Sequence, residues 1–160
     1  MTLLLDRPTQ LALLELKRVL IVDDEEPIRR LLAYMLQSHG YEVVLAADAK
    51  EARLRMDEVP FALVLCDVNM PGESGMDLIR HTFRQHPHTA AIMVTGLDSP
   101  LLANAALDMG AFGYIIKPFE ANEVLINVAN ALRRRRLEME SRLQRDNLED
   151  VVRTRTMALQ

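Results

Sequence analysis

Short apolar runs and amphipathic segments alternate five times between about residue 18 and residue 130 of this 160-residue chain. Most of the runs are apolar throughout, which is typical of strands covered on both faces of a sheet. Strict alternation of strands and helices predicts an α/β fold with a parallel sheet, right-handed crossovers and helices on both faces. The strand candidates are Arg18–Val22, Tyr41–Leu45, Phe61–Cys66, Ala90–Val94 and Gly113–Ile116.

Helix start and stop signals fall between these runs. Proline suits a first helical turn, Asp and Ser suit the N-cap, and glycine suits the residue after a helix end. These signals predict five helices, which begin near Pro27, near Asp48, near Met76, at Asp98-Ser99-Pro100 and near Glu120.

Composition limits the classes of function. The net charge of −4 argues against a general nucleic-acid binder, and the single cysteine, Cys66, excludes an internal disulfide framework. Charged residues such as Asp6, Arg7 and Lys17 interrupt the leucine-rich leader, so we expect no membrane span and a cytoplasmic protein. The pattern divides the chain into an N-terminal arm (1–17), a folded domain (18–130) and an extended helix (131–160).

Polar side chains follow four of the five predicted strands. Parallel sheets bind ligands beyond the carboxyl ends of their strands, so these side chains should meet at one rim. Converging carboxylates need a cation, and Mg²⁺ accepts carboxylates while keeping positions for phosphate oxygens. A lysine and a hydroxyl at the same rim suit a phosphate group. The residues are Asp23, Asp24, Asp67, Thr95 and Lys117.

Each of these residues also has a simpler interpretation. Asp24 before Glu25, Glu26 and Pro27 could be a helix N-cap, and Asp67 taken alone could be one too. Lys117 taken alone is typical of a solvated surface lysine. Their joint appearance at the strand ends favours a phosphoryl-transfer site, in which a carboxylate such as Asp67 is the nucleophile.

Four motifs carry a resemblance to a known family. They are Val19-Leu-Ile-Val-Asp-Asp24, Cys66-Asp-Val-Asn-Met-Pro71, Met93-Val-Thr-Gly96 and Gly113-Tyr-Ile-Ile-Lys-Pro118. At these spacings the chain resembles the CheY-like receiver domain of two-component response regulators over about residues 18–130. The resemblance implies a flavodoxin-like fold with strand order 2-1-3-4-5.

The resemblance also implies a role for each site residue. Asp67 would accept the phosphoryl group, Lys117 would pair first with the acidic site and then with a phosphate oxygen, and Thr95 and Tyr114 would act as the switch pair. The peptide before Pro118 would be cis. The ligands of Mg²⁺ (or Mn²⁺) would be Asp24, Asp67 and the backbone carbonyl of Asn69, with Asp23 acting partly through water.

Two positions near the site are expected to affect rate. Asn69 and Leu97 would flank the path of the hydrolytic water, and an apolar Leu97 cannot orient that water. We therefore expect a longer phosphoryl lifetime than with a polar residue there.

The chain beyond about residue 121 lacks Pro and Gly and predicts one long helix, of which the sheet can cover only the first turns. Leu125, Val128 and Leu132 would face the core. The remainder predicts a parallel coiled coil, with a frayed solvated tail as the alternative. Arg133–Arg136 is interpreted as a solvated charged face. The segment also resembles linkers to output domains, including HD-type cyclic-dinucleotide phosphodiesterases.

Three functions follow from these observations. The leading one is a receiver that a histidine kinase phosphorylates on Asp67, with altered dimerisation through the fourth-helix face and the C-terminal helix, or altered output-domain activity. Such a chain would show only self-phosphorylation and slow self-dephosphorylation. A Mg-dependent aspartyl-phosphate phosphatase is the second, but Asn69 stands where its general acid would be. A coiled-coil module with a degenerate receiver is the third.

Overall fold

The computed structural model describes residues 17–96 and 99–158. The predicted N-terminal arm, apart from Lys17, lies outside the described residues, as do Leu97 and Asp98. The described elements in chain order are β1 Arg18–Val22, α1 Glu26–Gln37, β2 Glu42–Ala46, α2 Ala49–Glu58, β3 Leu63–Cys66, α3 Gly75–Gln85, β4 Ala90–Thr95, α4 Pro100–Met109, β5 Gly113–Ile116 and α5 Ala121–Ala158.

All strand pairs in the sheet are parallel, and the strand order is β2-β1-β3-β4-β5. This arrangement confirms the predicted fold class and order. The ends of β1 and β3 are aligned, since Val22 lies beside Cys66. Strands β4 and β5 end together at Thr95 and Ile116, two residues beyond the end of β3. The chain runs from β1 outward to β2 and then back to β3, so the strand order reverses between β1 and β3. A ligand site is expected at the carboxyl end of these two strands.

The two faces of the sheet carry separate apolar cores. Successive strand residues point to opposite faces, so that Leu20 and Val22 belong to one core while Val19 and Ile21 belong to the other. Helices α2, α3 and α4 cover the first face, and α1 and α5 cover the second. Coverage on both sides explains why the strand sequences are apolar throughout.

Helix caps agree with the sequence signals to within a few residues. The Asp48 carboxylate accepts a hydrogen bond from the Glu51 backbone N–H at 2.8 Å. The Ser99 hydroxyl caps α4 by accepting from the Leu102 N–H. Ser74 caps α3 in the same way, so this helix begins one residue earlier than the predicted Met76.

Helix α5 is continuous over 38 residues, as predicted, and is about 57 Å long. Its buried residues are Val124, Val128, Ala131 and Arg135, at the spacing of one helical face. The predicted core stripe is confirmed: Val128 is fully buried, and Leu125 and Leu132 are half-buried and pack against the same core. The helix is rotated so that the small Ala131 side chain faces the sheet and the larger leucines flank the contact.

The prediction that Arg133–Arg136 forms a solvated charged face was wrong for Arg135. Arg135 is only 3% exposed, and its Nε donates to the His88 carbonyl oxygen just before β4. From Arg136 to Thr156 the side chains are exposed, apart from the half-buried Met139. The exposed ones include the apolar residues Leu137, Leu143, Leu148, Val151 and Val152.

Within residues 17–96 and 99–158, no helix is both long enough and apolar enough to cross a membrane.

Candidate functional site

Two aspartates lie buried at the carboxyl ends of the central strands. Asp23 follows β1 and is 1% exposed, and Asp67 follows β3 and is 6% exposed. The sheet hydrogen bonds continue to them, because the Asp23 N–H donates to the Ala46 carbonyl and the Asp67 N–H donates to the Val22 carbonyl. The backbone of each aspartate is thus fixed as firmly as that of a strand residue.

Lys117 lies between these two carboxylates. Its Nζ is 2.7 Å from Asp23 Oδ2 and 3.3 Å from Asp67 Oδ2. The Lys117 backbone N–H donates to the Thr95 carbonyl at 2.7 Å, which ties the end of β5 to the end of β4. The peptide between Lys117 and Pro118 is cis, as predicted. The interpretation of Lys117 as a solvated surface lysine was wrong.

The second oxygen of each buried carboxylate accepts a backbone hydrogen bond. Asp23 Oδ1 accepts from the Glu25 N–H at 2.9 Å, and Asp67 Oδ1 accepts from the Asn69 N–H at 3.2 Å. Each carboxylate therefore shares its two oxygens between one loop N–H and the lysine. This division of contacts fixes the orientation of both carboxylates.

Asp24 completes an acidic group at the rim. Its side chain is exposed, and carboxylate oxygens of Asp23, Asp24 and Asp67 all lie within 4.8 Å of one another. The alternative interpretation of Asp24 as the N-cap of α1 was wrong, because Glu25 occupies that position and no side chain caps it. Asp67 does not cap α3 either, since Ser74 does.

The charges in this group do not balance. Burial raises the pKa of the Asp67 carboxyl; the charge of Lys117 lowers it, but the net shift is upward. Burial lowers the pKa of Lys117, but the hydrogen bond and charge of Asp23 and the charge of Asp67 outweigh burial and raise it. One ammonium thus faces three carboxylates, and an all-oxygen set with excess negative charge fits a hard divalent cation such as Mg²⁺.

The two predicted switch residues lie on neighbouring strands. Thr95 is fully buried at the end of β4, beside Ile116 of β5. Tyr114 lies opposite Met93, is half-buried, and packs against the core beneath α2, α3 and α4. All seven predicted site residues therefore lie at or near one end of the sheet, and Leu97 lies outside the described residues.

Gly75 is a site residue that the sequence did not single out. A Cβ atom at this position would lie 2.0 Å from the Asp67 carbonyl oxygen, and the Gly75 N–H donates to the Val68 carbonyl at 3.0 Å. The first turn of α3 thus packs directly on the backbone that carries Asp67. Gly75 is the first residue of α3, and its contact with Asp67 has no local sequence signal, because it depends on how the loop after Asp67 folds.

A second unpredicted contact holds the same loop. Arg53 of α2 forms an ion pair with Glu73, which lies between Asp67 and the cap of α3. Arg29 of α1 donates to the Asp23 backbone carbonyl at 2.7 Å and holds the other acidic loop. Neither pairing has a sequence signature, because both depend on how the loops fold.

Replacing Asp67 with asparagine should stabilise the metal-free protein at neutral pH. The raised pKa means that the folded state binds this proton more tightly than the unfolded state does. Stability therefore falls as the pH rises from the ordinary carboxyl pKa through the raised one. Urea unfolding in a chelator, from about pH 4 to about pH 7, should show an advantage for Asp67→Asn that grows with pH. An exposed control, Asp108→Asn, should show no such trend, and an advantage for Asp67→Asn that does not change with pH would contradict the assignment.

Comparisons with known proteins agree with this geometry. The sequence matches the response regulator receiver domain family over residues 19–129. It is 39% identical over 124 residues to the response regulator protein PilR of Pseudomonas aeruginosa. The matched region covers 78% of this chain and 28% of PilR. It is 35% identical over 116 residues to the sensory transduction protein RegX3 of Mycobacterium tuberculosis. This match covers 72% of this chain and 51% of RegX3.

Solved structures give the same result. A CheY-like receiver domain protein from Methanospirillum hungatei JF-1 is 34% identical with a TM-score of 0.72, covering 76% of this chain and 98% of that one. NtrX from Brucella abortus is 32% identical with a TM-score of 0.77, covering 80% of this chain and 30% of NtrX. The chain spans only 28% and 51% of the lengths of PilR and RegX3. The sequence motifs, the fold and the acidic rim agree, and the chain belongs to the receiver domain family of two-component response regulators.

Proposed function

We propose that this chain is a phosphorylation switch in which Asp67 accepts a phosphoryl group from a histidine kinase. The observation that carries this proposal is the pair of buried strand-end carboxylates, Asp23 and Asp67, that share the Lys117 ammonium beside the rim carboxylate of Asp24. Burial at a strand end costs free energy for a carboxylate. Such a site is difficult to explain by stability alone and fits a group that reacts.

Asp67 is the nucleophile of the proposed transfer step. One Asp67 oxygen attacks phosphorus, and the bond from phosphorus to the donor breaks, with its electron pair leaving on the donor. Lys117, held at 3.3 Å from Asp67 Oδ2, passes from that oxygen to an oxygen of the incoming phosphoryl group. Asp23 keeps the lysine in place through its shorter 2.7 Å contact.

The acidic group would hold the divalent cation. Asp23, Asp24, Asp67 and the backbone carbonyl of Asn69 are its proposed ligands, with Mg²⁺ or Mn²⁺ as the ion. A bound cation neutralises charge on the carboxylates and on the phosphoryl oxygens. The raised pKa of Asp67 without a cation supports this assignment, because an additional positive charge favours the ionised nucleophile.

The response would pass through Thr95 and Tyr114. Thr95 ends β4, and its backbone carbonyl accepts a hydrogen bond from the Lys117 N–H. This bond holds Thr95 next to Lys117. A phosphoryl group on Asp67 adds charge and acceptor oxygens that attract the Thr95 hydroxyl. The half-buried Tyr114 would then move toward the space beneath α4.

The effect of phosphorylation on dimerisation or on an output domain would pass through the α4 face and α5. We propose homodimerisation through these surfaces, supported by the exposed apolar residues of the projecting part of α5. PilR and RegX3 are longer than the matched region, which supports a fused output domain as a second readout. A cytoplasmic location follows from the proposed histidine kinase partner, and neither membrane nor direct nucleic-acid binding is part of the proposal.

An aspartyl-phosphate phosphatase is less well supported. Such an enzyme needs a carboxyl group two residues after its nucleophile for proton transfer, and Asn69 has an amide there. We propose only slow loss of the phosphoryl group, with Leu97 unable to orient the hydrolytic water. A degenerate receiver is opposed by the complete set of acidic residues and lysine at the rim.

Intact-mass measurement tests the proposal. The protein is incubated with Mg²⁺ and acetyl phosphate, and the wild type should gain the mass of one phosphoryl group. Asp67→Asn, or addition of a chelator, should prevent the gain, whereas the exposed control Asp108→Asn should not. No gain by the wild type, or a gain that survives Asp67→Asn, would refute it. Light scattering on the same samples measures whether phosphorylation changes the oligomeric state.

A further inference from the structure

A groove lies where α5 leaves the sheet, at the opposite end of β4 from Thr95. Its walls are the loop before β4, which includes His88, and the fourth to sixth turns of α5. Its volume is about 380 Å³, within the range of roughly 300–1,000 Å³ that small-molecule pockets occupy. None of the proposed phosphorylation residues lines it.

The floor of the groove is apolar. Phe83 of α3, Met109 at the end of α4, Phe112 before β5 and Met139 of α5 converge on it, and all four side chains are half-buried. Four separate elements thus each contribute a large apolar side chain that the domain itself does not fully cover. An apolar ligand surface would complete their burial.

The rim of the groove is positive. Three arginines line it against one glutamate, Glu138. Arg134 lies over the Phe112 ring, 4.0 Å from its centroid, and contacts Glu138 at 3.3 Å. Arg135 is held by the His88 carbonyl. Arg142 makes no hydrogen bond or ion pair with any residue in the described ranges, so its guanidinium is available at the mouth.

We propose that this groove binds an amphipathic organic anion with a planar apolar body and one carboxylate, sulfonate or phosphate group. The body lies on Phe83, Met109 and Met139, and the anionic group accepts hydrogen bonds from Arg142. Guanidinium groups bind such anions in a bidentate manner. Because the ligand would join α5 to the loop before β4, it would fix the direction in which α5 leaves the domain.

Titration with anilinonaphthalene sulfonate, a planar aromatic anion, tests the site by fluorescence. The full chain should bind one equivalent. Arg142→Glu should weaken binding about tenfold or more, the effect expected for one charge-assisted hydrogen bond. Arg145→Glu is the matched control, because Arg145 is also exposed on α5 and does not line the groove. It should bind as the wild type does. The uncharged analogue N-phenylnaphthylamine should respond to neither substitution.

Location is tested separately by the methyl resonances of the methionines. On addition of the sulfonate, the signals of Met109 and Met139 should shift, and that of Met56, which is buried in the core and does not line the groove, should not. Asp67→Asn should bind as the wild type does, so this test is independent of phosphorylation. Absence of saturable binding, equal losses in both glutamate variants, or shifts confined to other methionines would each overturn the proposal.

Discussion

Replacing Gly75 with alanine should destabilise the domain by roughly 3 kcal/mol, the upper end of the usual cost of overpacking. A Cβ at this position would lie 2.0 Å from the Asp67 carbonyl oxygen and 2.8 Å from its carbonyl carbon. Both are backbone atoms, so no side-chain rotation can relieve the contact. Either α3 or the loop that carries Asp67 must move. We therefore also expect weaker Mg²⁺ binding and slower phosphorylation.

Urea unfolding and Mg²⁺ titration measure the two effects. Gly96→Ala is the matched control, because no atom of the described residues, apart from its chain neighbours, lies within 4 Å of a Cβ built there, although Gly96 belongs to the same rim. Its stability should stay within about 0.5 kcal/mol of the wild type. A Gly75→Ala protein with wild-type stability and Mg²⁺ affinity would show that the close approach to Asp67 is not a constraint.

Replacing Lys117 with methionine should have a comparable effect on the metal-free protein. The ammonium is the cation that Asp23 and Asp67 share, and the Asp23 side chain is only 2% exposed. Removing one partner of a buried ion pair typically costs about 3–5 kcal/mol, because the remaining charge is left uncompensated. We expect about 3 kcal/mol here, because the lysine side chain is 16% exposed and water reaches it.

Addition of Mg²⁺ should then show whether Lys117→Met is destabilised by the lost charge or by the lost packing of the side chain. A bound cation replaces the missing positive charge, so Mg²⁺ should raise the melting temperature of Lys117→Met by more than it raises that of the wild type. The exposed Lys50→Met on α2 serves as the control and should change neither stability nor the response to Mg²⁺. An unchanged melting temperature for Lys117→Met in chelator would contradict the charge balance described above.

Much of the fold was predictable because its pattern is local. Strands covered on both faces are apolar at every position, as in Leu63–Cys66, and helices are bounded by residues such as Asp48 and Ser99. The meeting of Asp23, Asp67 and Lys117 was predictable for a related reason. Parallel strands that start and end together bring the residues after them to one rim, so sequence position determines spatial position.

Other features depend on contacts that have no local signal. The sequence of α5 predicted Leu125, Val128 and Leu132 as core-facing residues, and all three pack on the core. The full burial of Val124 and Ala131 was not predicted. Arg135 looks like a member of a solvated basic run, but it is buried and donates to the His88 carbonyl. Such features are set by the rotation of a helix against the sheet, which the sequence of one element does not determine.

The acidic rim contains both features that a local sequence pattern predicts and features that depend on tertiary contacts. Asp24 had two interpretations from sequence, and the position of Glu25 at the helix N-cap excludes one of them, the N-cap. The close approach of Gly75 to Asp67 joins residues eight positions apart through a folded loop, so it has no local sequence signal. The position of the proposed phosphoacceptor Asp67 was predictable from its strand, whereas the residues that hold its backbone in place depend on the loop.

The central claim is that Asp67 itself carries the phosphoryl group, and chemical trapping tests this most directly. Borohydride reduces an aspartyl phosphate to homoserine, so treatment after incubation with Mg²⁺ and acetyl phosphate marks the residue that was modified. Peptide mass spectrometry should find homoserine at position 67 alone, and none when phosphodonor or Mg²⁺ is omitted. Homoserine at position 23 or 24 in place of 67, or a phosphoryl group that resists reduction, would contradict the assignment.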